Sequence, residues 1–399
     1  MNLTDLIEKI KNDCSINFIG MAITPLQATG IDAVTSYLSN KGVKLNGYIL
    51  MTAHPNTGRI LNRNNFTTHY DGLEYLDFDC EFPESQGFLK QLQVKSRGLS
   101  YTKRKKKGET IYLVWTEILS NLMYVLSESR PEANVTFIQI DDGAASYIND
   151  FQLRLSNLLL GRTYDGIELV VQYTKAGFYA ILSKLMRKNL KCKNRYIDAT
   201  IFIKKIDIKG KMLEQNSTII PYYVEAFKQQ GFMSDKILKY EHAVIVNTQC
   251  LSEGNITNGV VDLEVYKSLT KIINDLGYKI ILKPHPREKD IEKYQKLGWE
   301  LTNDISLTQE SILACLENKP KCIISIYSST LLNARGLFGI PAISLAKLML
   351  EKQISKSLRI ELNRYIKMYN SVIYFPSTKL ELKNIIRDIM EKEKDVGLK

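Results

Sequence analysis

The sequence of 399 residues predicts an α/β protein built from two doubly wound domains. Three observations lead to this fold class. Short apolar runs rich in β-branched residues alternate with stretches of helical periodicity. Several of these runs end at a polar cluster, as buried parallel strands commonly do at their carboxyl ends. The chain is also too long for one ordinary domain, so two domains are the natural expectation.

The first half of the chain alternates strands and helices from its start. Its predicted strands are Asn17–Met21, Tyr48–Met51, Gly72–Phe78 and Val135–Ile140. A helical stretch around Ile31 follows the first strand. Thr110–Ser127 fits either a helix or a helix paired with a strand. Residues 151–240 give little pattern beyond the mixed apolar stretch Tyr173–Met186.

A second α/β unit is predicted to begin near Glu241. Its strands are Ala243–Val246, Tyr278–Leu282 and Cys322–Ile326. Its helices are Val261–Leu276, Glu310–Cys315, Leu331–Phe338 and the terminal segment Leu380–Glu393. We therefore expect domains at 1–235 and 236–399. Two Rossmann-like domains facing a central cleft, with a C-terminal helix able to cross back, make the GT-B outline of nucleotide-sugar transferases.

The composition argues against a membrane-spanning, secreted, zinc-binding or disulfide-rich protein. A hydrophobic content of 44% supports full cores, and no run of about 18 apolar residues predicts a membrane span. The start, Met1–Asp5, lacks the basic and apolar regions of a secretory signal, so we expect a cytoplasmic protein. The six cysteines are scattered without a Cys-x-x-Cys pair, which argues against a zinc site or a disulfide framework.

The net charge of +11 and the pI of about 9.1 predict a negatively charged partner. The densest basic run comprises Lys103, Arg104, Lys105, Lys106 and Lys107. Three roles stay open for this basic run: a solvated loop, contact with an anionic inner-membrane surface, or contact with a polyanionic acceptor. It lies after a predicted break at Gly98-Leu99-Ser100. No nucleic-acid-binding motif is present, so nucleic acid is not expected as a partner.

Three polar clusters at strand ends carry the candidate chemistry. They are Asp141-Asp142-Gly143, Lys283-Pro284-His285-Pro286-Arg287 and Tyr327-Ser328-Ser329-Thr330. In open α/β sheets, ligands bind beyond the carboxyl ends of the strands. The first cluster is far from the other two in sequence. A cleft shared by all three would therefore have to form between the two halves of the chain.

These clusters occur in the order of the Asp/Glu-Asp/Glu-Gly, His-Pro and Ser-Ser/Thr motifs of bacterial sialyltransferases, which the chain resembles. Thr24-Pro25-Leu26-Gln27 is similar to the start of the lipooligosaccharide sialyltransferase and capsular polysialyltransferase families, and Val244–Glu253 to the first strand and loop of their nucleotide-binding domain. The resemblance implies an N-terminal acceptor domain and a C-terminal CMP-sugar domain. It adds four residues to the substrate-binding set: Thr24, Gln27, Thr248 and Gln249.

Sialyl transfer needs a base, because the acceptor hydroxyl loses a proton as it attacks the anomeric carbon. Asp142 is the first candidate and Asp141 the second, since a neighbouring carboxylate raises the pKa of the base. Gly143 would let the backbone turn tightly beside the sugar. The alternative is that one aspartate only caps the following helix.

The CMP leaving group needs hydrogen-bond donors and an acid. His285 would protonate or hydrogen-bond the phosphate, and Pro286 would stiffen its loop. Lys283 stands beside them as a further substrate-binding residue. The alternative for His285 is a histidine in a surface turn. His54 occupies the other His-Pro at a strand end, where it either has no role, which we favour, or is a second polar group lining the cleft.

A hydroxyl cluster precedes the helix Leu331–Phe338. Ser328, Ser329 and Thr330, together with the free N–H groups of the helix N-terminus, would hold the phosphate without a metal. Ordinary N-capping is the alternative, and the two roles are compatible.

The sequence thus predicts an inverting, metal-independent sialyltransferase that uses CMP-sialic acid and no cofactor. We expect a bacterial surface glycan as acceptor, either lipooligosaccharide or capsular polysialic acid, and a peripheral position at the inner face of the plasma membrane. Two alternatives stay open. One is a teichoic-acid-type glycerophosphotransferase that uses a CDP-polyol. The other is a non-catalytic polyanion-binding protein of capsule assembly.

Overall fold

In the computed structural model, the chain divides into two compact units. Unit 1 comprises Met1–Phe202 and Asn216–Ala226, and unit 2 comprises Ile203–Gln215 and Phe227–Lys399. The structure describes the whole chain apart from residues 54–60, 68, 80–87, 105–106, 117–119, 141–150, 152–165, 190–203, 207–211, 216–218, 232–239, 241–242, 250, 252–260, 286–287, 303–304, 306 and 393–399.

Unit 1 is built on a five-stranded parallel sheet. Its strands are β1 (Phe18–Ala22), β2 (Gly47–Thr52), β3 (Leu73–Phe78), β4 (Thr110–Trp115) and β5 (Asn134–Gln139). They lie in the order β3-β2-β1-β4-β5. The order therefore reverses between β1 and β4, which is where doubly wound sheets bind ligands. Strands β1 and β2 are buried along their whole length, as strands covered on both faces are.

The helices of unit 1 form the layers around this sheet. They are α1 (Leu3–Asn12), α2 (Pro25–Asn40), α3 (Phe88–Lys103), α4 (Ser120–Ser129) and α5 (Gly166–Asn189). Helix α6 (Ile220–Gly231) follows, and the division between the units falls after its residue Ala226. Leu6 of α1, Tyr101 of α3 and Leu126 of α4 share one buried apolar cluster with the sheet. This cluster is the core of unit 1.

Unit 2 repeats the same sheet. After an antiparallel hairpin of β6 (Lys204–Ile206) and β7 (Met212–Gln215) come β8 (Ala243–Asn247), β9 (Lys279–Lys283), β10 (Glu300–Leu301), β11 (Cys322–Ser325) and β12 (Ala342–Ser344). The last five pair in parallel, in the order β10-β9-β8-β11-β12. The order again reverses beside the first strand of the sheet, here between β8 and β11. The carboxyl ends of these two strands are the expected position of a ligand.

The helices of unit 2 are α7 (Val261–Asp275), α8 (Glu292–Gln295), α9 (Gln309–Cys315), α10 (Ser329–Phe338), α11 (Ala346–Leu350), α12 (Lys356–Tyr369) and α13 (Lys379–Lys392). The terminal helix α13 packs against α7 within this unit, where Lys383 and Asp275 form an ion pair of 3.7 Å. Among the described residues, no helix is both long and apolar enough to cross a bilayer.

The predicted fold class, two α/β domains with parallel sheets as in GT-B proteins, is confirmed. Thr110–Ser127 divides into strand β4 and helix α4, and Tyr173–Met186 lies within α5. The predicted break at Gly98-Leu99-Ser100 is wrong. Gly98 is buried inside α3, and the packing of this helix against α4 and α5 outweighs the cost of one glycine in its interior.

A glycine at the start of β2 lies against the backbone of β1, and its substitution tests how close this approach is. Gly47 has φ of +151°, and a Cβ at this position would lie 2.0 Å from the carbonyl oxygen of Phe18. We expect Gly47→Ala to lower the free energy of unfolding by about 3 kcal/mol, because strain and steric overlap add. Urea denaturation followed by circular dichroism measures this loss.

Gly42 provides the matched control. Its φ is +80°, but a Cβ there meets nothing within 4 Å. Gly42→Ala should therefore cost only the strain of the left-handed conformation, about 1 kcal/mol. If the two variants lost the same free energy of unfolding, the close approach of Gly47 to Phe18 would not constrain the start of β2.

Candidate active site

The sheet of unit 2 ends in a row of polar residues at its carboxyl edge. Strand register aligns Lys283 of β9, Asn247 of β8, Ser325 of β11 and Ser344 of β12. All four are buried. Apart from the exposed Lys279 at the start of β9, the four strands are apolar up to this row, so apolar residues give way to polar ones at the same level on neighbouring strands. Buried polar groups in native proteins are normally hydrogen-bonded, and the exceptions commonly mark functional sites.

Two acceptors of this polar row have no hydrogen-bond partner within the part of the chain that the structure describes. They are Asn247 Oδ1 and Ser325 Oγ, on strands that pair in register. They lie where the strand order reverses. An unsatisfied buried polar group costs about 1–3 kcal/mol. A ligand that donates hydrogen bonds at this edge would recover that cost.

A buried carboxylate lies beneath the start of α10. The carboxylate of Glu310 accepts a hydrogen bond of 2.6 Å from Asn333 Nδ2. Burial raises the pKa of the Glu310 carboxyl, while donation by Asn333 and Thr330 and the charge of Lys283 act in the opposite direction. Lys283 Nζ donates to the carbonyl oxygen of Ile305 at 2.8 Å. Glu310 is therefore bonded to α10 through Asn333 and Thr330 and feels the positive charge of the lysine at the end of β9.

A second buried carboxylate fixes the loop that carries His285. The Glu288 side chain has no exposed surface and lies 3.2 Å from Lys293 Nζ. It accepts hydrogen bonds from the hydroxyls of Thr248 and Tyr294, the latter at 2.5 Å. The backbone N–H of Glu288 donates to the carbonyl oxygen of His285 at 2.9 Å. One carboxylate thus joins the loop after β8 to the loop after β9.

The side chain of His285 is partly exposed on this anchored loop, and the preceding Pro284 is buried. Pro286 lies outside the described residues. Thr248, predicted to bind substrate, is buried and bonded to Glu288, whereas Gln249 is partly exposed. The loop geometry therefore gives Thr248 a positioning role.

The hydroxyl cluster begins helix α10, as predicted. Ser328 is the N-cap residue, and its hydroxyl accepts from the Thr330 N–H at 3.2 Å. Tyr365 of α12 donates to the Ser328 carbonyl oxygen at 2.8 Å, and burial raises the pKa of this tyrosine. The side chains of Ser328, Ser329 and Thr330 are all partly exposed. The capping role is present, and it orients a helix N-terminus that can hold an anion.

In unit 1, Thr24 and Gln27 close the turn between β1 and α2. The Thr24 hydroxyl accepts from the Gln27 N–H at 3.4 Å, and Gln27 Oε1 accepts from the Ile23 N–H at 2.7 Å. Pro25 occupies the first turn of the helix, a position suited to proline. Both predicted substrate-binding residues therefore help to fix the turn at the end of β1.

The carboxyl edge of unit 1 also presents unsatisfied polar atoms. Trp115 of β4 and Gln139 of β5 pair in register and are buried. Trp115 Nε1 and Gln139 Oε1 have no hydrogen-bond partner among the residues described. Asp141, Asp142 and Gly143 follow this edge in sequence but lie outside the described residues, so their predicted roles stay predictions.

Sequence reasoning did not find Asn247, Ser325, Glu288 and Glu310. A polar residue closing each β-branched run was a visible signal for the first two. The carboxylates gave no such signal, because the partners of Glu288 and Glu310 lie on separate loops and helices. Of the predicted residues, Thr248 bonds to Glu288, whereas Thr330 bonds to Glu310 and Lys283 acts on that carboxylate by its charge.

A known protein family and several solved structures are similar to this chain. A family model described as "Alpha-2,8-polysialyltransferase (POLYST)" matches residues 36–347 of this chain. No curated protein matches the sequence.

Several solved structures are similar at low identity. The UDP-GlcNAc 2-epimerase from Methanocaldococcus jannaschii is 11% identical, with a TM-score of 0.44 over 94% of this chain and 91% of that chain. The 2,6-sialyltransferase from Vibrionaceae Photobacterium sp. JT-ISH-224, solved with CMP and lactose, is 14% identical, with a TM-score of 0.39 over 90% and 78%. The sialyltransferase from Photobacterium damselae is 13% identical, with a TM-score of 0.38 over 90% and 98%.

Removal of the Glu288 carboxylate should destabilise unit 2. Glu288→Ala leaves the buried hydroxyls of Thr248 and Tyr294 without their acceptor and removes the buried ion pair with Lys293. We expect a loss of about 3–5 kcal/mol in the free energy of unfolding, the range for a broken buried pair. The midpoint of urea denaturation reports it.

Glu300→Ala is the matched control in the same unit. Glu300 pairs with Lys279 at 2.9 Å, but both side chains are more than half exposed. Its removal should cost less than about 1 kcal/mol. If the Glu288 variant were no less stable than the Glu300 variant, the anchoring role of the buried carboxylate would be wrong.

Proposed function

Because the chain belongs to the alpha-2,8-polysialyltransferase family, we propose that it transfers sialic acid from CMP-sialic acid to a sialylated capsular glycan, with inversion at the anomeric carbon. The sialyltransferase class predicted from the order of the three motifs is confirmed by the family match over residues 36–347. The observation that carries the proposal for the donor is the buried polar row at the carboxyl edge of unit 2.

CMP would bind at this polar row. Asn247 Oδ1 and Ser325 Oγ are buried acceptors, and the ribose hydroxyls and the cytosine amine of CMP are donors that could satisfy them. The phosphate would lie at the N-terminus of α10. There it would meet the hydroxyls of Ser328 and Ser329, the helix N–H groups and the positive charge of Lys283.

The leaving group would depart from this phosphate site. As the bond between the anomeric carbon and the phosphate oxygen breaks, its electron pair stays on the CMP phosphate. His285, held on the loop that Glu288 anchors, would donate a hydrogen bond or a proton to that oxygen. Because Glu288 fixes both neighbouring loops, the donors would be in place before the charge develops.

A carboxylate would activate the acceptor hydroxyl. Asp142 would take its proton as the new bond to the anomeric carbon forms, with Asp141 raising the pKa of the base. A single displacement of this kind inverts the anomeric configuration. Thr24 and Gln27 would support the acceptor side by fixing the turn after β1.

We propose that no divalent metal or other cofactor takes part. The leaving group is a monophosphate, and a helix N-terminus, a lysine and a histidine can meet its added charge. Activity should therefore survive EDTA. Loss of activity in EDTA that magnesium restores would contradict this part of the proposal.

A donor screen tests the function. The purified chain is given CMP-sialic acid, CDP-glycerol or UDP-GlcNAc with a sialylated oligosaccharide, and release of the nucleotide is followed. We expect acceptor-dependent CMP release from CMP-sialic acid alone. In the same assay, Asp142→Asn should lower kcat by roughly 10²–10⁴-fold, the usual range for a lost general base.

The controls separate the alternatives. Asp71→Asn changes an exposed aspartate of unit 1 and should leave kcat unchanged. Turnover of CDP-glycerol would favour a glycerophosphotransferase. Binding of the sialylated glycan without turnover of any donor would favour a non-catalytic protein, and near-normal activity of Asp142→Asn would assign the base to another residue.

The phosphate site can be tested by its hydroxyls. The double variant Ser328→Ala/Ser329→Ala should weaken CMP binding by about 1–3 kcal/mol, because hydrogen bonds to a charged group are lost. Isothermal titration calorimetry with CMP measures this change. His285→Ala should instead lower kcat, since its donor acts on the departing oxygen.

Loss of a helix cap could by itself disturb the protein, so a second cap serves as control. Ser355 caps α12, and its hydroxyl accepts from the Leu358 N–H at 3.2 Å. Ser355→Ala should cost a similar capping energy, about 1 kcal/mol, and leave CMP affinity unchanged. Normal CMP affinity of the double serine variant would place the phosphate elsewhere.

A further inference from the structure

Helix α5 exposes an apolar face. Seven large hydrophobic side chains of this helix are at least 40% exposed. Tyr173 lies off the face, and the other six are Ile167, Val170, Val171, Phe178, Ile181 and Leu185. Their spacing of three, four and seven residues puts them along one side of the helix, and we call this set the apolar stripe. Single exposed apolar residues are ordinary, but a contiguous patch marks a surface that contacts another apolar phase.

The opposite side of α5 attaches the helix to unit 1. Ala176, Ser183 and Met186 are buried there. Lys95 of α3 places its Nζ 3.2 Å from the ring centroid of Tyr179, a close cation–π contact. Because this side of the helix holds the contacts to α3, the apolar stripe is the side that faces outward.

The charges beside the apolar stripe are almost all positive. Lys175, Lys184 and Lys188 are exposed on α5, and Glu168 is the single acidic residue in the sequence of the helix. The basic surface continues from α5 to α3. Asn189 at the end of α5 donates to Thr102 Oγ1 at 3.4 Å, which brings this end of α5 to the last turn of α3.

The predicted basic run begins at that point. Lys103 is the last residue of α3, and the next residue, Arg104, is also exposed, as is Lys107. Lys105 and Lys106 lie outside the described residues. The run therefore starts on a helix end, and its described residues Lys103, Arg104 and Lys107 extend the basic flank of the apolar stripe.

We propose that the apolar stripe and the exposed residues Lys103, Arg104 and Lys107 form one site that docks to an anionic lipid bilayer. Helix α5 would lie in the plane of the interface, with the stripe at the boundary of headgroups and acyl chains and the lysines among the anionic headgroups. With five charged residues in its sequence, α5 is suited to lie on a membrane and not to cross one. The site goes beyond the proposed reaction, because it places the enzyme at a surface.

Two other occupants fit the observations less well. A second copy of the chain could cover the stripe, but it would bring two basic surfaces together, and like charges repel. A polyanionic glycan would match the lysines but would leave the exposed Ile167, Val170 and Ile181 in contact with water. An anionic bilayer satisfies the apolar and the basic parts at once.

Co-sedimentation with vesicles tests this docking site. The full chain is mixed with vesicles of phosphatidylcholine alone or with roughly one-third phosphatidylglycerol. We expect binding that needs the anionic lipid and weakens as salt is raised. Ile167→Ser/Val170→Ser/Ile181→Ser should lower the partition coefficient at least about tenfold, as should Lys103→Gln/Arg104→Gln/Lys107→Gln.

Control variants remove the same kinds of exposed side chain from other parts of the surface. Ile360 and Leu380 are 59% and 69% exposed on α12 and α13, so Ile360→Ser/Leu380→Ser removes exposed apolar side chains elsewhere. Lys267→Gln/Lys271→Gln/Lys296→Gln removes exposed charges of unit 2. Both should bind vesicles like the wild type. The stripe variant should retain its circular dichroism spectrum and its turnover of a short soluble acceptor.

Three outcomes would overturn the proposal. The first is vesicle binding by the stripe variant equal to that of the wild type. The second is absence of vesicle binding together with long-polysialic-acid binding that only the charge variant loses, which would assign the run to a glycan. The third is a wild-type dimer in analytical ultracentrifugation that the stripe variant dissociates, without vesicle binding in either protein.

Discussion

The buried carboxylate of Glu288 is the interaction on which the edge of unit 2 depends. A charge in a protein interior is costly unless donors surround it. Here two hydroxyls and a lysine meet it, and they come from the loop after β8 and from the segment around α8. His285 is held to the same residue through the backbone. Burying this charge costs desolvation free energy, which these contacts offset. The same contacts hold the two loops in a fixed geometry before any substrate binds.

Most strands could be predicted because buried parallel strands appear in a sequence as short β-branched runs, whereas the short strands β10 and β12 were missed. Strand β9 differs from its prediction by a single residue at each end. Helices α1 and α12 were missed although both are amphipathic: Leu6 and Ile10 of α1, and Leu362 and Tyr365 of α12, are buried at helical spacing. The prediction at Gly98 was wrong for a physical reason: glycine destabilises an isolated helix, but α3 packs against α4 and α5, and this packing outweighs the cost.

The candidate site was predictable where a motif is local and obscure where it depends on contacts distant in sequence. Ser328 could be predicted because a hydroxyl before an apolar helix is a local pattern. Glu310 could not be predicted, because its place in the site depends on its contact with Asn333 and on the register of neighbouring strands. One sequence does not reveal which strands are neighbours. The same limit hid the row that joins Asn247 to Ser325.

The strand order has a consequence for synthesis of the chain on the ribosome. Strand β1 pairs with β2 on one side, but on the other side Phe18 pairs with Tyr112 of β4. While the intervening residues are translated, one edge of a fully apolar strand has no native partner. Such edges attract other chains. In a crowded cell, the period between translation of β1 and of β4 is therefore when nascent unit 1 most needs protection from aggregation.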